Sequence, residues 1–556
     1  MFRPYKIFTK LLALILLAVI SGLNAQAELP RAPLVVNSSS GGCQPKAEIC
    51  GDGIDQDCNG SDRLCPGLDK DMDGFPASQD CNDSNRFTYP GTSVQCRAAC
   101  GTGTQTCNAN GSYTACSCEP LCEASGSGKC YYISKLTGSD SNSGSFDKPF
   151  KTARNITTYY TSSQRPSGWV QLKPGDFVYF MSGVYSETYD YNGDKKNIFF
   201  RFYDDGTATN RITLKAYPGA HPVLTSSLET SAIHIHQSKG FNIEGFEVTK
   251  SFGHAVNVSG SEHVTVSNNW IHNNEGVDNH NPGGLQFATT RNARAHHNIF
   301  HDNYDRIAED TGGVGTENNR NIIIFRGTDV RIDHNVMFHT LGIDHNLGSG
   351  CVTYKHTADL EGYENQTTEI DHNIMWNCKF NAIGSGSHRS RIHHNLIIDS
   401  APIELRDFGG PTHLRDNIVE HNTMVNTGGL NYRPTERYSS LGKLTFRNNI
   451  VVNSQSASDT FGTVNVGTYL DDDDFNLTHP RNLSFTNNCY YNTDRAPMFN
   501  LFSSRGSGRN TGGLYSFSQW QGLGHDAGSA VTNPQLSGDF VPGNSSCSNK
   551  GHLSGW

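Results

Sequence analysis

The chain has 556 residues, with 44 Lys and Arg against 54 Asp and Glu, a net charge of −10. Apolar residues make up 35% and charged residues 18%, which excludes global disorder and a nucleic-acid binder that relies on bulk positive charge. The length exceeds one ordinary globular core and fits two domains or one elongated repeat.

The chain begins with a positive segment (Arg3, Lys6, Lys10), an apolar run from Leu11 to Leu23, and Ala25-Gln26-Ala27. That order reads as a secretory signal peptide over residues 1–27, so the mature protein is expected outside the cytoplasm, secreted or at the cell surface. No later run of 18 apolar residues exists, so no membrane span is expected. Residues 28–42 read as a linker.

Of the 16 Cys, 12 lie between Cys43 and Cys130, within a stretch poor in aliphatic residues. Residues 43–125 cannot bury a sizeable core and need disulfides or metal ions to fold. Residues 69–80 read DKDMDGFPASQD. Asp69, Asp71 and Asp73 alternate, Gly74 supplies a sharp turn, Phe75 follows it, and Asp80 falls at position 12. This spacing wraps oxygen ligands around one calcium ion, with Asp80 a shorter substitute for the usual Glu. The alternative is a disulfide-stapled acidic spacer without an ion. CGDGIDQDCNG, DxDxDGF and DCND together resemble the metal-binding repeat of MopE-like secreted proteins and thrombospondin type 3 repeats. The first resemblance implies copper in some relatives, but hard carboxylate oxygens favour calcium. Cys96 to Cys122 holds six Cys whose spacing fits disulfides better than zinc.

From residue 240 a phrase recurs: a polar or His residue, Asn, then an apolar strand. The Asn positions are 269, 298, 335, 373, 395, 422, 449 and 488. They are separated by 22 to 39 residues, the signature of a solenoid with insertions. Three short strands per coil predict an all-β fold, a parallel β-helix over residues 130–556, with Asn at a left-handed bend forming a stacked ladder. His296, His297, His334, His372, His393, His394 and His421 flank these Asn residues, so they read as turn residues before metal ligands. Cys351 and Cys378 can bridge coils and Cys489 and Cys547 can pin the tail, but spacing alone does not decide the pairing.

This stretch resembles the right-handed parallel β-helix proteins of the pectate-lyase-like superfamily. YYISKLTGSDSNSGSFDKPFKT (131–152) is similar to their opening segment and LKPGDFVYFMSGVYSET (172–188) to their first coil. The resemblance implies the fold; that fold hosts lyases, hydrolases, epimerases and binding proteins.

The third strand of each coil can be laid in register by its apolar positions. Leu285, Ile323, Val352, Ile383, Ile403 and Leu430 are expected inward, with Phe287, Phe325, Tyr354, Leu405 and Tyr432 as the second inward column. One outward column then reads Ala288, Arg326, Lys355, Gly386, Arg406, Arg433, and the other Gln286, Ile324, Thr353, Gly384, Glu404, Asn431. Four cations in a row are unfavourable unless a polyanion lies along them. The alternative is a solvated cationic face with acidic loops over it. Gly384 and Gly386 leave room for a sugar ring.

The cation column predicts an acidic glycan as partner, with no nucleic acid, and a monomer is expected; the resemblance implies that such a uronate-containing polysaccharide is cleaved by β-elimination lyase chemistry. In β-elimination a base removes the proton beside the uronate carboxylate while a positive group holds that carboxylate. Lys355, between like charges, is the expected base and Arg406 the carboxylate partner. Arg326, Arg433, Glu404, His356 and Asn431 are expected to bind substrate, with Tyr354 a lesser helper. A calcium-assisted route would need acids beside Lys355, for which Glu404, Asp407, Asp344, Glu309 and Asp310 are candidates. A calcium-dependent glycan-binding or adhesive protein is the alternative, and a glycoside hydrolase, needing two facing carboxyls, the next.

Overall fold

A computed structural model of the chain describes residues 75–85, 88–98, 101–117, 121–201, 205–226, 230–276, 283–305, 320–339, 350–355, 367–378, 381–406, 414, 416–433, 443–454, 463–468, 483–505 and 509–552. The chain divides into two units, Met1–Leu121 and Cys122–Gly555. In the described part of the first, Ser93–Ala98 and Gly101–Thr106 form an antiparallel hairpin. Disulfides Cys81–Cys107 and Cys96–Cys116 staple it.

The second unit is a right-handed parallel β-helix of three 12-stranded sheets. Each coil supplies one strand to each sheet: Thr328–Asp333 to the first, Val336–Phe338 to the second and Gly350–Lys355 to the third. Strand alternation puts one face of each strand into a continuous core. Ile332, Ile370, Ile392 and Val419 stack down the first sheet. Phe300, Met337, Met375 and Ile397 stack down the second. Disulfide Cys351–Cys378 ties coils together and Cys489–Cys547 pins the tail. Among the described residues there are five disulfides, which form in oxidising compartments. No helix among them is long and apolar enough to cross a membrane.

The bend between the first and second sheets holds the Asn ladder. Each side chain from Asn269 to Asn449 donates to the Oδ1 of the Asn in the next coil, at 2.9 to 3.3 Å. The left-handed residue is not the ladder Asn, as the sequence predicts, but the one before it. Asn268, His297, His334, His372, His394, His421, Asn448 and Asn487 all have φ of 53° to 56°. Asn and His tolerate that region better than most side chains, which explains why histidine recurs there.

The last coil is closed differently from the rest. Met498–Arg505 pairs antiparallel with Arg509–Ser516, and helix Phe517–Gly522 follows. Ser516 caps that helix, and its fully buried Trp520 stacks on Phe499 at 5.2 Å.

Candidate functional site

The outer face of the third sheet gathers five of the residues expected to act on or bind substrate. The inward column runs Leu285, Ile322, Val352, Ile383, Ile403 and Leu430. The expected Ile323 is therefore one residue out, and Ile324, not Phe325, fills the second inward column. Ile322, Ile323 and Ile324 are equally apolar, so the hydrophobic pattern cannot fix the register of this strand.

The slip removes Arg326 from the cation column. Phe325 is the neighbour of Lys355, while Arg326 sits in the next turn at φ 53°. There its N–H donates to the Lys355 carbonyl at 3.0 Å and its guanidinium lies 5.3 Å from the Phe325 ring. Tyr354 faces the core, and its hydroxyl donates to the Gly327 carbonyl, so it is not aimed at the outer face.

Lys355, Arg406, Arg433, Glu404 and Asn431 do share that face. Strand Ile403–Arg406 carries Glu404 and Arg406, and Leu430–Arg433 carries Asn431 and Arg433 in matching register. Glu404 is buried between the two guanidinium groups, 3.3 Å from Arg406 Nε and 3.8 Å from Arg433. The arginines are thus partly neutralised from within the sheet, a pairing the outward columns placed side by side. Asn431 Oδ1 is buried without a hydrogen-bond partner among the described residues. Gly384 lies in register between Thr353 and Glu404, so that outward position carries no side chain.

Lys355 is the most perturbed cation of the site. Burial, then the charges of Arg320 and Arg406, lower its ammonium from the usual 10.5 to about 8. Arg320 was not among the expected residues. It starts strand Arg320–Phe325, is 1% exposed, and donates from Nε to Thr353 Oγ1 at 2.7 Å. Gly350 makes this possible, because a Cβ there would lie 2.7 Å from Arg320 Cδ. The only sequence signal was an arginine opening an apolar strand. His356, Asp344, Glu309, Asp310 and Asp407 lie outside the described residues.

The corner histidines form a separate feature. His297, His334, His372, His394 and His421 stack ring on ring, 4.9 to 5.0 Å apart and within 4° of parallel. His334 Nδ1–H donates to Asp333 at 2.9 Å and His372 Nδ1–H to Asp371 at 2.8 Å. Among the described residues, Asp371, His372 and His393 bring three metal-ligand atoms together. Asp371 is already held by Arg331 at 2.9 and 2.7 Å, which opposes a cation there.

In the N-terminal unit, Asp69, Asp71 and Asp73 lie outside the described residues. Phe75 stacks on Tyr89 at 5.6 Å, and Asp80 is buried with Oδ1 accepting the Asn82 N–H at 3.0 Å.

No protein-family model matches the chain, and none of the curated proteins matches it. Several solved structures are similar to it. The pectate lyase Pel9A is 16% identical, with 60% of this chain and 78% of that one covered, at a TM-score of 0.41. The PL6 family alginate lyase AlyGC is 15% identical, covering 68% of this chain and 54% of that one, at 0.39. PfbA, a surface adhesin of Streptococcus pneumoniae, is 12% identical, covering 59% and 81%, at 0.35. At these values the likeness assigns no role to any residue.

Proposed function

We propose that the chain binds an acidic, uronate-bearing polysaccharide along the outer face of its third sheet and cleaves it by β-elimination. The observation that carries this reading is Lys355, an outward-facing amine that burial, then the neighbouring Arg320 and Arg406, lower from 10.5 to about 8. A neutral amine at that position takes the proton from the carbon beside the uronate carboxylate. The C–H electron pair becomes the new double bond, and the bond to the glycosidic oxygen breaks. The leaving oxygen takes its proton from solvent or back from the lysine. Arg406 neutralises the carboxylate in the transition state, where bidentate charge-assisted bonds are strongest. Arg433 holds the next acidic group, Asn431 Oδ1 accepts a sugar hydroxyl, and Glu404 fixes both guanidinium groups.

Secretion through residues 1–27 and calcium in the loop formed by Asp69, Asp71, Asp73, Phe75 and Asp80 belong to the same reading. The calcium part is checked by titrating the chelated protein with Ca2+ and following its melting temperature. A second reading, non-catalytic glycan binding, is favoured by Glu404, which offsets the charge of the arginines a lyase needs.

The deciding experiment follows ultraviolet absorbance of unsaturated uronates on pectate, alginate, chondroitin and ulvan. A lyase gives a rise whose rate increases with pH through about 8, because only the neutral amine is a base. No rise on any glycan, with binding retained, replaces the lyase by the binding protein.

A further inference from the structure

The stacked corner histidines take no part in the function proposed above. His297, His334, His372 and His394 stand on consecutive coils, their rings 4.9 to 5.0 Å apart. Their hydrogen bonds fix which nitrogen is left for a ligand. A carboxylate only accepts, so Asp333 and Asp371 take the Nδ1–H of His334 and His372. Glu369 likewise takes the Nε2–H of His393 at 2.7 Å, which leaves His393 Nδ1 an acceptor. His394 Nδ1, 2.8 Å from it, is then the donor. In each of these three neutral rings Nε2 carries the lone pair. His297 meets His296 through the same pair of Nδ1 atoms, at 2.8 Å. His421 ends the row, because its Nε2 accepts from the Asn448 amide at 3.0 Å.

An imidazole whose other N–H is held by a carboxylate, directly or through a relay, is oriented and made more basic as a metal ligand. The Asp333 and Asp371 side chains are fully buried, whereas those of His334 and His372 are 25% and 27% exposed, so an ion can approach the rings from solvent. The charges around them are balanced. Arg294 binds Asp333, Arg331 binds Asp371, Arg391 reaches Glu369 and Glu420, and Arg447 binds Glu420. Arg331 opposes a cation at Asp371, but an ion at the Nε2 edge needs no share of that carboxylate.

Copper(II), nickel(II) and zinc(II) take imidazole nitrogen readily, with bonds of about 2.0 to 2.1 Å, so two nitrogens on one ion stand at most about 4.2 Å apart. Rings stacked 4.9 Å apart reach this when each tip leans inward by about 0.4 Å, within the breadth of the histidine χ2 well. Alternate rings are two spacings apart and cannot share an ion.

We propose that neighbouring rings among His297, His334, His372 and His394 chelate divalent transition-metal ions in pairs, two ions at most, with water completing each shell. The site is independent of the chemistry at Lys355.

The test uses the full chain, stripped by a chelator and returned to Ca2+, then titrated with Zn2+ by calorimetry and with Cu2+ by electron paramagnetic resonance. Two double variants remove the same number of imidazoles, and Asn accepts the left-handed backbone at each position. His297→Asn with His334→Asn leaves His372 beside His394. It should keep one ion of two, with nitrogen splitting from two imidazoles in the copper spectrum. His334→Asn with His394→Asn leaves no neighbouring pair and should weaken Zn2+ binding by about tenfold or more, a lost ligand at every site. The remaining histidines are shared by wild type and are adjacent in only one of the doubles. Equal stoichiometry and affinity in the two doubles overturns the proposal and marks the binding as adventitious, as does a wild type that binds neither metal. If either double melts early, the wild type gives the answer alone. Zn2+ should then protect these four histidines from diethylpyrocarbonate, mapped by mass spectrometry, and unchanged modification of all four overturns the site.

Discussion

The Asn corner and the outer face of the third sheet belong to the same coils, yet they treat polar groups in opposite ways. At the corner, the Asn373 amide donates to Ile332, Asp371 and Asn395, and its oxygen accepts from Asn335. On the sheet face, cations crowd together and two buried amide oxygens lack partners among the described residues. The ladder amides are paired from within the chain, whereas those two sheet-face oxygens are paired by no described residue.

The comparison can be broken most sharply at Lys355. Lys355→Ala should lower lyase turnover by about 10²- to 10⁴-fold, while denaturant midpoint and oligomer binding stay close to wild type. A matching fall in stability would move Lys355 to the structural side. Asn373→Leu should do the reverse and destabilise by about 3 to 5 kcal/mol in denaturant unfolding, because several buried groups lose partners at once. Cys378→Ala opens the Cys351–Cys378 bridge, which spans 27 residues, and should cost about 3 kcal/mol.

Acid should act on the corner next. Burial, then His372, His393 and His421, lower His394 from 6.5 to about 4, and burial lowers His421 too. These rings are neutral when folded and bind protons more readily when unfolded. Their contribution is therefore complete above about pH 6.5 and declines as pH falls from there toward about 4, which a series of melting temperatures will show. The smallest effect is expected for His372→Asn, under about 1 kcal/mol, since Asn also accepts the left-handed backbone. His372→Val should cost about 1 to 3 kcal/mol more.

The fold was legible because a solenoid writes one constraint many times. Asn precedes eight of the twelve strands of the second sheet, and eight copies outweigh any ambiguity in one. The site was legible only where the strand pattern was unambiguous. Lys355, Arg406 and Arg433 follow alternating strands and lie where alternation puts them. Arg326 was misplaced because three consecutive isoleucines permit either register. Arg320 was missed because its proximity to Lys355 is made by a neighbouring coil, at a glycine whose meaning is visible only in three dimensions. The left-handed residue was off by one for a related reason, since Asn and His both tolerate that backbone and stand side by side.

The antiparallel strand Arg509–Ser516 has a consequence for assembly. A stack of parallel rungs offers at its end the same template that each rung offers the next, so a second molecule could continue it indefinitely. At the end of the third sheet the last strand runs in the reversed direction, and a helix whose buried Trp520 joins the core follows it, so that edge differs from the parallel rungs before it. A neighbouring molecule that continued the parallel stack would therefore meet a strand of the wrong direction on this sheet.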